Sequence, residues 1–128
     1  MNFNLNQGIK GYKEMTVVFE ATAARFGSGL VEVFATPAMV ALMEGTCQFS
    51  IQELLPDGYI TVGTSVNIRH LKATPMNKKV WCESELIRVD GRRLSFKVEA
   101  WDEAGKIGEG THDRFIVHAK TFMEKLAS

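Results

Sequence analysis

Charge of one sign is missing from this chain. Its 128 residues set 15 Lys plus Arg against 15 Asp plus Glu, so no net field points to nucleic acid or an anionic membrane as a partner. Cysteine is scarce as well. Cys47 and Cys82 stand alone, with no CxxC and no Cys/His cluster, which excludes a disulfide framework and a zinc site of the usual spacing. Two reduced thiols in a cytoplasmic protein is the plain expectation. The start, "MNFNLNQGIKGYKEM", lacks the apolar h-region of a signal peptide, and no stretch approaches the roughly 20 apolar residues that span a bilayer. Repeats, linkers and low-complexity tracts are absent too. What remains is one domain over residues 1–128, long enough for a real core.

Within that domain the most telling stretch is "VFATPAMVALMEGTCQF", Val33 to Phe49, where Glu44 is the single charged side chain. Thr36 is a favoured N-cap and Pro37 suits the first helical position, where its missing N–H loses nothing. The helix is expected to run to Leu55 and to stop at "PDG". Nearly every residue from Ala38 to Met43 is apolar, which predicts a helix buried all round. Gly45 interrupts it at a penalty of about 1 kcal/mol against Ala, either to let another backbone or a ligand come close or as a tolerated flaw.

Strand patterns surround this helix. The first dozen residues read as loosely ordered, "EMTVVFEA" as a strand, and "TAARFGSGLVEVF" as an irregular flap broken by Gly-Ser-Gly. After the helix, Ile60, Val62, Thr64, Val66, Ile68 and His70 share one parity, so His70 continues an apolar row. "VWCESELIRV" and "RLSFKVEAW" flank Asp90-Gly91, a strong hairpin signal. "DEAGK" turns the chain into "IGEGTHDRFIVHA", and "KTFMEKLA" closes it as a short amphipathic helix. One long buried helix followed by a meander of about four antiparallel strands describes an α+β hotdog fold, in which a curved sheet wraps the helix. A ferredoxin-like sandwich would need a second full-length helix.

Three polar residues stand out chemically. Burial raises the pKa of a carboxylate, which suits a general base or nucleophile in the place Glu44 occupies; its plainer reading is a sheet-margin carboxylate reaching solvent or a lysine. Thr36 explains itself as a cap, yet its hydroxyl also lies where free N–H groups and the helix dipole favour an oxyanion. His70 is either a satisfied core histidine or an acid/base group. His112 and His118 read as ordinary sheet-face residues, so neither a metal nor a cofactor is expected. Thr36 and Glu44 are separated by roughly 12 Å of helix. A site using both is therefore spanned by substrate or assembled across a two-fold interface.

Taken together, "FATPAMVALMEGTC", "TVGTSVNIRHLKATP", "GRRLSF" and "GTHDR" make the chain, from about Val31 to its end, resemble the hotdog-fold thioesterases related to fluoroacetyl-CoA thioesterase. The resemblance implies a homodimer that hydrolyses acyl-CoA thioesters with Thr36, Glu44 and His70 as the catalytic set. It also implies substrate contacts at Gly63, where backbone can approach a ligand, and at Arg114, suited to a polar part of the CoA arm. Two departures accompany it. Pro37 stands where the fluoroacetyl-specific member has glycine, and "ATAARFGSGL" lacks that enzyme's phenylalanine-bearing lid, so acetyl or somewhat longer acyl groups are the expected substrates. Enoyl-CoA hydration and non-catalytic acyl-CoA binding stay open as alternatives. Release of free thiol separates the hydrolase from both.

Overall fold

Alternation decides the sheet. In the computed structural model, which describes residues 2–128, five antiparallel strands form one sheet: β1 Lys10–Thr16, β2 Tyr59–His70, β3 Lys79–Asp90, β4 Arg93–Asp102 and β5 Gly105–His118. Leu94, Phe96, Val98 and Ala100 of β4 are fully buried, while Lys97 between them is exposed. The Asp90-Gly91 hairpin forms as expected, with Gly91 in the left-handed region at φ 61°. At the next turn Asp102 Oδ1 accepts from Ala104 N at 2.8 Å and Gly105 N at 3.1 Å, a side-chain-closed turn of the kind Asp favours.

Strand order departs from the expected simple meander. The spatial order is β1-β3-β4-β5-β2, so only β3 to β5 run as a meander, and β2 crosses to pair with β5. The N-terminal segment is also more ordered than its polar composition suggests. Phe3 and Leu5 are buried, and β1 begins at Lys10 rather than Glu14. The predicted "EMTVVFEA" strand ends at Thr16, and the chain leaves the sheet through a single 3-10 turn at Phe19–Ala21. The flap then carries a short helix, α1 Ala23–Phe26. Single bridges Thr22–Phe34 and Val33–Pro75 tie it down.

The long helix is α2, Thr36–Gln52. It ends three residues before Leu55 because Leu54 and Leu55 donate to Ile51 and Gln52 in tighter i−3 turns. Met39, Met43, Cys47 and Ile51 point into the sheet and are essentially inaccessible. Gly11 lets β1 cross close over this helix. A Cβ there would stand 2.7 Å from Ser50 Cβ and 2.9 Å from the Thr46 carbonyl. The expectation of burial all round is corrected, however. Thr36, Pro37, Ala41 and Phe49 are exposed, because one sheet covers one side of a helix only. Pro37, Ala41, Gly45 and Phe49 follow at i, i+4 spacing and form an uncovered stripe of small and apolar surface. Among the described residues outside its own helical turn, only Lys13 Nζ comes within 4 Å of the position a Cβ at Gly45 would take, at 3.8 Å.

Amphipathic α3, Ala119–Ala127, closes the chain. His118 caps it, its Nδ1 accepting from the Thr121 N–H. That gives His118 a local structural duty.

Candidate active site

Two polar clusters flank α2, one at its start and one at its middle. At the start, Thr36 is not the cap it was expected to be. Ala35 takes the N-cap conformation (φ −74°, ψ 143°) with no side-chain cap bond, and Thr36 opens the helix as its first residue, followed by Pro37. Freed from capping, the Thr36 hydroxyl meets the imidazole of His70: Oγ1 to Nδ1 is 2.8 Å. The hydroxyl thus sits beside helix N–H groups that have no partner within the helix.

His70 reaches this position from the end of β2, and its ring lies edge-on to Phe34, centroids 6.5 Å apart. Burial pushes its pKa below the usual histidine value, with the nearby Lys72 backbone pulling partway back. The ring is therefore neutral at neutral pH. Its Nε2 is buried and makes no well-formed hydrogen bond among the described residues. A buried polar atom without a partner is worth explaining, since leaving one unmade costs about 1–3 kcal/mol. Just beyond, Lys72 Nζ and Thr74 Oγ1 both bind Asp102, which ties the end of β2 to the β4–β5 turn.

Glu44 belongs to the second cluster. It is half-buried, and the space beside Gly63 on β2 brings its partners together. A Cβ at Gly63 would stand 2.8 Å from Glu44 Oε2, 3.2 Å from His112 Cε1 and 3.4 Å from Arg114 Nη1. Glycine here lets a carboxylate, an imidazole and a guanidinium close in on the β2 backbone, and any side chain would push the Glu44 carboxylate aside. The apolar row proposed for β2 is also corrected. The register with β5 shifts between Gly63 and Ser65, a bulge that reverses the parity. Thr61 and Gly63 therefore face the helix before it, and Ile68 and His70 after it.

Arg114 is nearly inaccessible, at 7%. Its Nε donates to Thr61 Oγ1 at 2.7 Å and its Nη2 to the Thr61 carbonyl at 2.9 Å. Its Nη1 lies 3.0 Å from His112 Nε2. This is a held guanidinium, not a free arm. His112, read from sequence as an ordinary sheet-face residue, is 1% exposed and lies within the cluster. Its shared parity with buried Ile116 was the signal that it points inward. Thr36 and Glu44 lie roughly 12 Å apart along α2 at 1.5 Å per residue, so one chain keeps the Thr36–His70 pair apart from the Glu44 cluster.

A long helix held in a curved antiparallel sheet, with a hydroxyl–imidazole pair at its start and a carboxylate on its flank, places this protein among the hotdog-fold thioesterases. A solved structure of a fluoroacetyl-CoA thioesterase superposes with a TM-score of 0.91 at 33% identity, over 97% of this chain and 96% of that one. A hot-dog-like protein from Thermanaerovibrio acidaminovorans gives a TM-score of 0.89 at 22% identity over 98% and 95% of the two chains, which speaks for the fold. The fluoroacetyl-CoA thioesterase of Streptantibioticus cattleyicolor is 42% identical over 95 residues, 74% of this chain and 68% of that protein. The model of the fluoroacetyl-CoA-specific thioesterase family matches residues 17–120. The chain belongs to that family.

Proposed function

We propose that this thioesterase hydrolyses short acyl-CoA thioesters with Thr36, Glu44 and His70 as the reacting set, in sites completed across a homodimer. The observation that carries the reading is the 2.8 Å contact of Thr36 Oγ1 with His70 Nδ1 at the start of α2. A hydroxyl donating to Nδ1 leaves the ring proton on Nε2, the buried atom with no well-formed hydrogen bond among the described residues. That N–H polarises the thioester carbonyl or protonates the departing thiolate. The N–H groups of the first helical turn, those of Thr36 and Ala38 since Pro37 has none, receive the oxyanion. Glu44 attacks the carbonyl carbon or draws the proton from an attacking water. The C–S bond then breaks and CoA leaves as the thiol. An attacking water gives the acid directly, whereas attack by Glu44 leaves an acyl–Glu44 anhydride that a water hydrolyses to the acid and the free carboxylate.

Two uncovered features support the homodimer. The β2 edge is unpaired on its outer side, with Thr64 to Asn67 exposed, and such edges call for cover. The α2 stripe of Pro37, Ala41, Gly45 and Phe49 is the second. Antiparallel pairing of two β2 strands centred between Val66 and Asn67 would set His70 of one against Gly63 of the other. Each Thr36–His70 pair would then meet a Glu44 cluster. A cytoplasmic setting fits the two free, buried thiols.

Selectivity for fluoroacetyl-CoA is not part of this proposal. The flap presents an aliphatic side chain, Leu30, at 99% exposure, and its single aromatic within "ATAARFGSGL" is Phe26. A pocket that senses only apolar shape gains about 1–3 kcal/mol from a methylene-sized difference. The test is a panel of acyl-CoAs, fluoroacetyl-CoA included, with free thiol as the readout. Turnover on acetyl-CoA or slightly longer chains is expected, with a modest fluoroacetyl-to-acetyl ratio of kcat/KM. Saturable binding without thiol release would favour a carrier, and a change in double-bond absorbance would favour a hydratase. A fluoroacetyl preference of several orders of magnitude would refute the substrate reading alone.

A further inference from the structure

The Arg114–His112 contact fixes a protonation state. His112 Nδ1 lies 2.8 Å from the Ser65 carbonyl, an acceptor only, so Nδ1 carries the proton and donates. Nε2 then holds a lone pair, and the guanidinium Nη1 at 3.0 Å donates into it. One tautomer, neutral and protonated on Nδ1, satisfies both bonds. With Thr61 taking two further donors, three of the five N–H groups of Arg114 are engaged. The two that remain lie on Nη1 and Nη2, and Nη1 lies 3.4 Å from the position a Gly63 Cβ would take, beside Glu44 Oε2.

We propose that His112, as the neutral Nδ1–H tautomer, is a positioning residue that locks the Arg114 guanidinium beside Glu44 and the Gly63 backbone. The proposal rests on the reading of Glu44 as a reacting group. His112 touches neither Thr36 nor His70 and acts through Arg114. Protonating it removes the lone pair that Arg114 uses and sets two cations 3.0 Å apart. The ring faces Arg114 and Asp113 on β5, Glu44 on α2, the Ser65 carbonyl on β2 and the Phe96 ring on β4. Nearby Cys47 stays neutral, its thiol pushed up to about 12 by burial. Burial, first, and Arg114 hold the His112 pKa below the usual histidine value against the opposing pull of Ser65, Glu44 and Asp113. The bond to Arg114 is therefore intact at neutral pH and fails on acidification.

Two variants and one spectrum test this. His112→Gln keeps one donor and one acceptor, whereas His112→Leu keeps bulk and loses both. The Leu variant should lower kcat by about 10- to 100-fold, the scale of a misplaced reacting group. The Gln variant should recover most of that loss, and its acid limb of kcat should lose the His112 step and keep that of His70. In a Glu44→Gln background, His112→Leu should cost nothing further, because it acts through the same cluster. If Glu44→Gln alone keeps full turnover, the Glu44 reading fails, and His112 is then judged by its tautomer and by the Gln rescue. With only three histidines in the chain, two-bond proton–nitrogen spectra of the wild type assign it directly. A proton on Nε2 at neutral pH overturns the proposal. So does equal loss in the Gln and Leu variants with the fold retained, or a Leu variant that turns over like wild type.

Discussion

The lone glutamate of α2 and the threonine eight residues before it are the residues on which the proposed function turns. Glu44→Gln keeps the shape and removes the basicity, so kcat should fall by about 10²–10⁴, the contribution expected of a general base, while the melting profile is unchanged. Near-complete activity in that variant would make Glu44 a bystander. Thr36→Ser retains the hydroxyl that meets His70 at 2.8 Å and should lose much less than Thr36→Ala; equal losses would show that the methyl group, not the hydroxyl, matters. Acid stability follows from the two inward histidines. His70 and His112 both have pKa values held below 6.5, chiefly by burial. Below pH 6.5 the unfolded chain binds protons that the folded chain refuses, so stability falls as pH drops from about 6.5 through the folded-state values. Melting temperatures recorded from pH 7.5 to 5 should decline, and His112→Gln should flatten the decline. Glu44, Thr36 and His70 were legible in the sequence as polar residues in apolar surroundings. His112 was not, because a histidine beside an arginine on a strand resembles a wet face until Ile116, two residues beyond Arg114, fixes which parity is buried.

At the scale of elements, the long helix and the β3–β4–β5 meander were readable because apolar periodicity and the Asp90-Gly91 turn carry them locally. The edges of the sheet were not. β1 is polar along its length, with a sequence of KGYKEMT, because an edge strand lying over a helix buries little of itself. Its position depends on a long-range contact that no window of sequence reports. Gly11 is where that contact is closest. Adding a methyl group there meets Ser50 Cβ and the Thr46 carbonyl inside van der Waals distance, and neither backbone nor Cβ can swing aside as a flexible side-chain tip can. Gly11→Ala should therefore destabilise the protein by about 1–3 kcal/mol, the usual range for overpacking. Denaturant titration with an unchanged m-value would read it out; a variant as stable as wild type would mean that β1 lifts off α2 at no loss. The bulge between Gly63 and Ser65 eluded the sequence for the same reason. A single-residue slip leaves the β-branched composition of "YITVGTSVNIRH" untouched while turning Val62 away from the helix and Gly63 toward it.

The whole molecule raises the question of how its two polar clusters cooperate. Within one chain Thr36 and Glu44, one in each cluster, sit roughly 12 Å apart along α2, too far for one thioester carbonyl to meet both. In the proposed homodimer, a two-fold axis between Val66 and Asn67 of β2 would pair each half-site with its complement and would cover the exposed edge and the Pro37–Phe49 stripe at the same time. Light scattering at micromolar concentration should accordingly report a dimer, and a monomer would end this account. Complementation is the sharper test. Glu44→Gln and His70→Ala are each expected to be inactive as homodimers. When the two are unfolded together and refolded, random association makes half of the dimers mixed. In each mixed dimer, one site combines the intact Glu44 of one chain with the intact His70 of the other, and the second site lacks both. The mixture should therefore recover about a quarter of wild-type turnover, since half the dimers carry one working site out of two. If each chain instead supplies its own Glu44 and His70 to a single site, no pairing of these variants contains an intact set, and the mixture stays as inactive as its components.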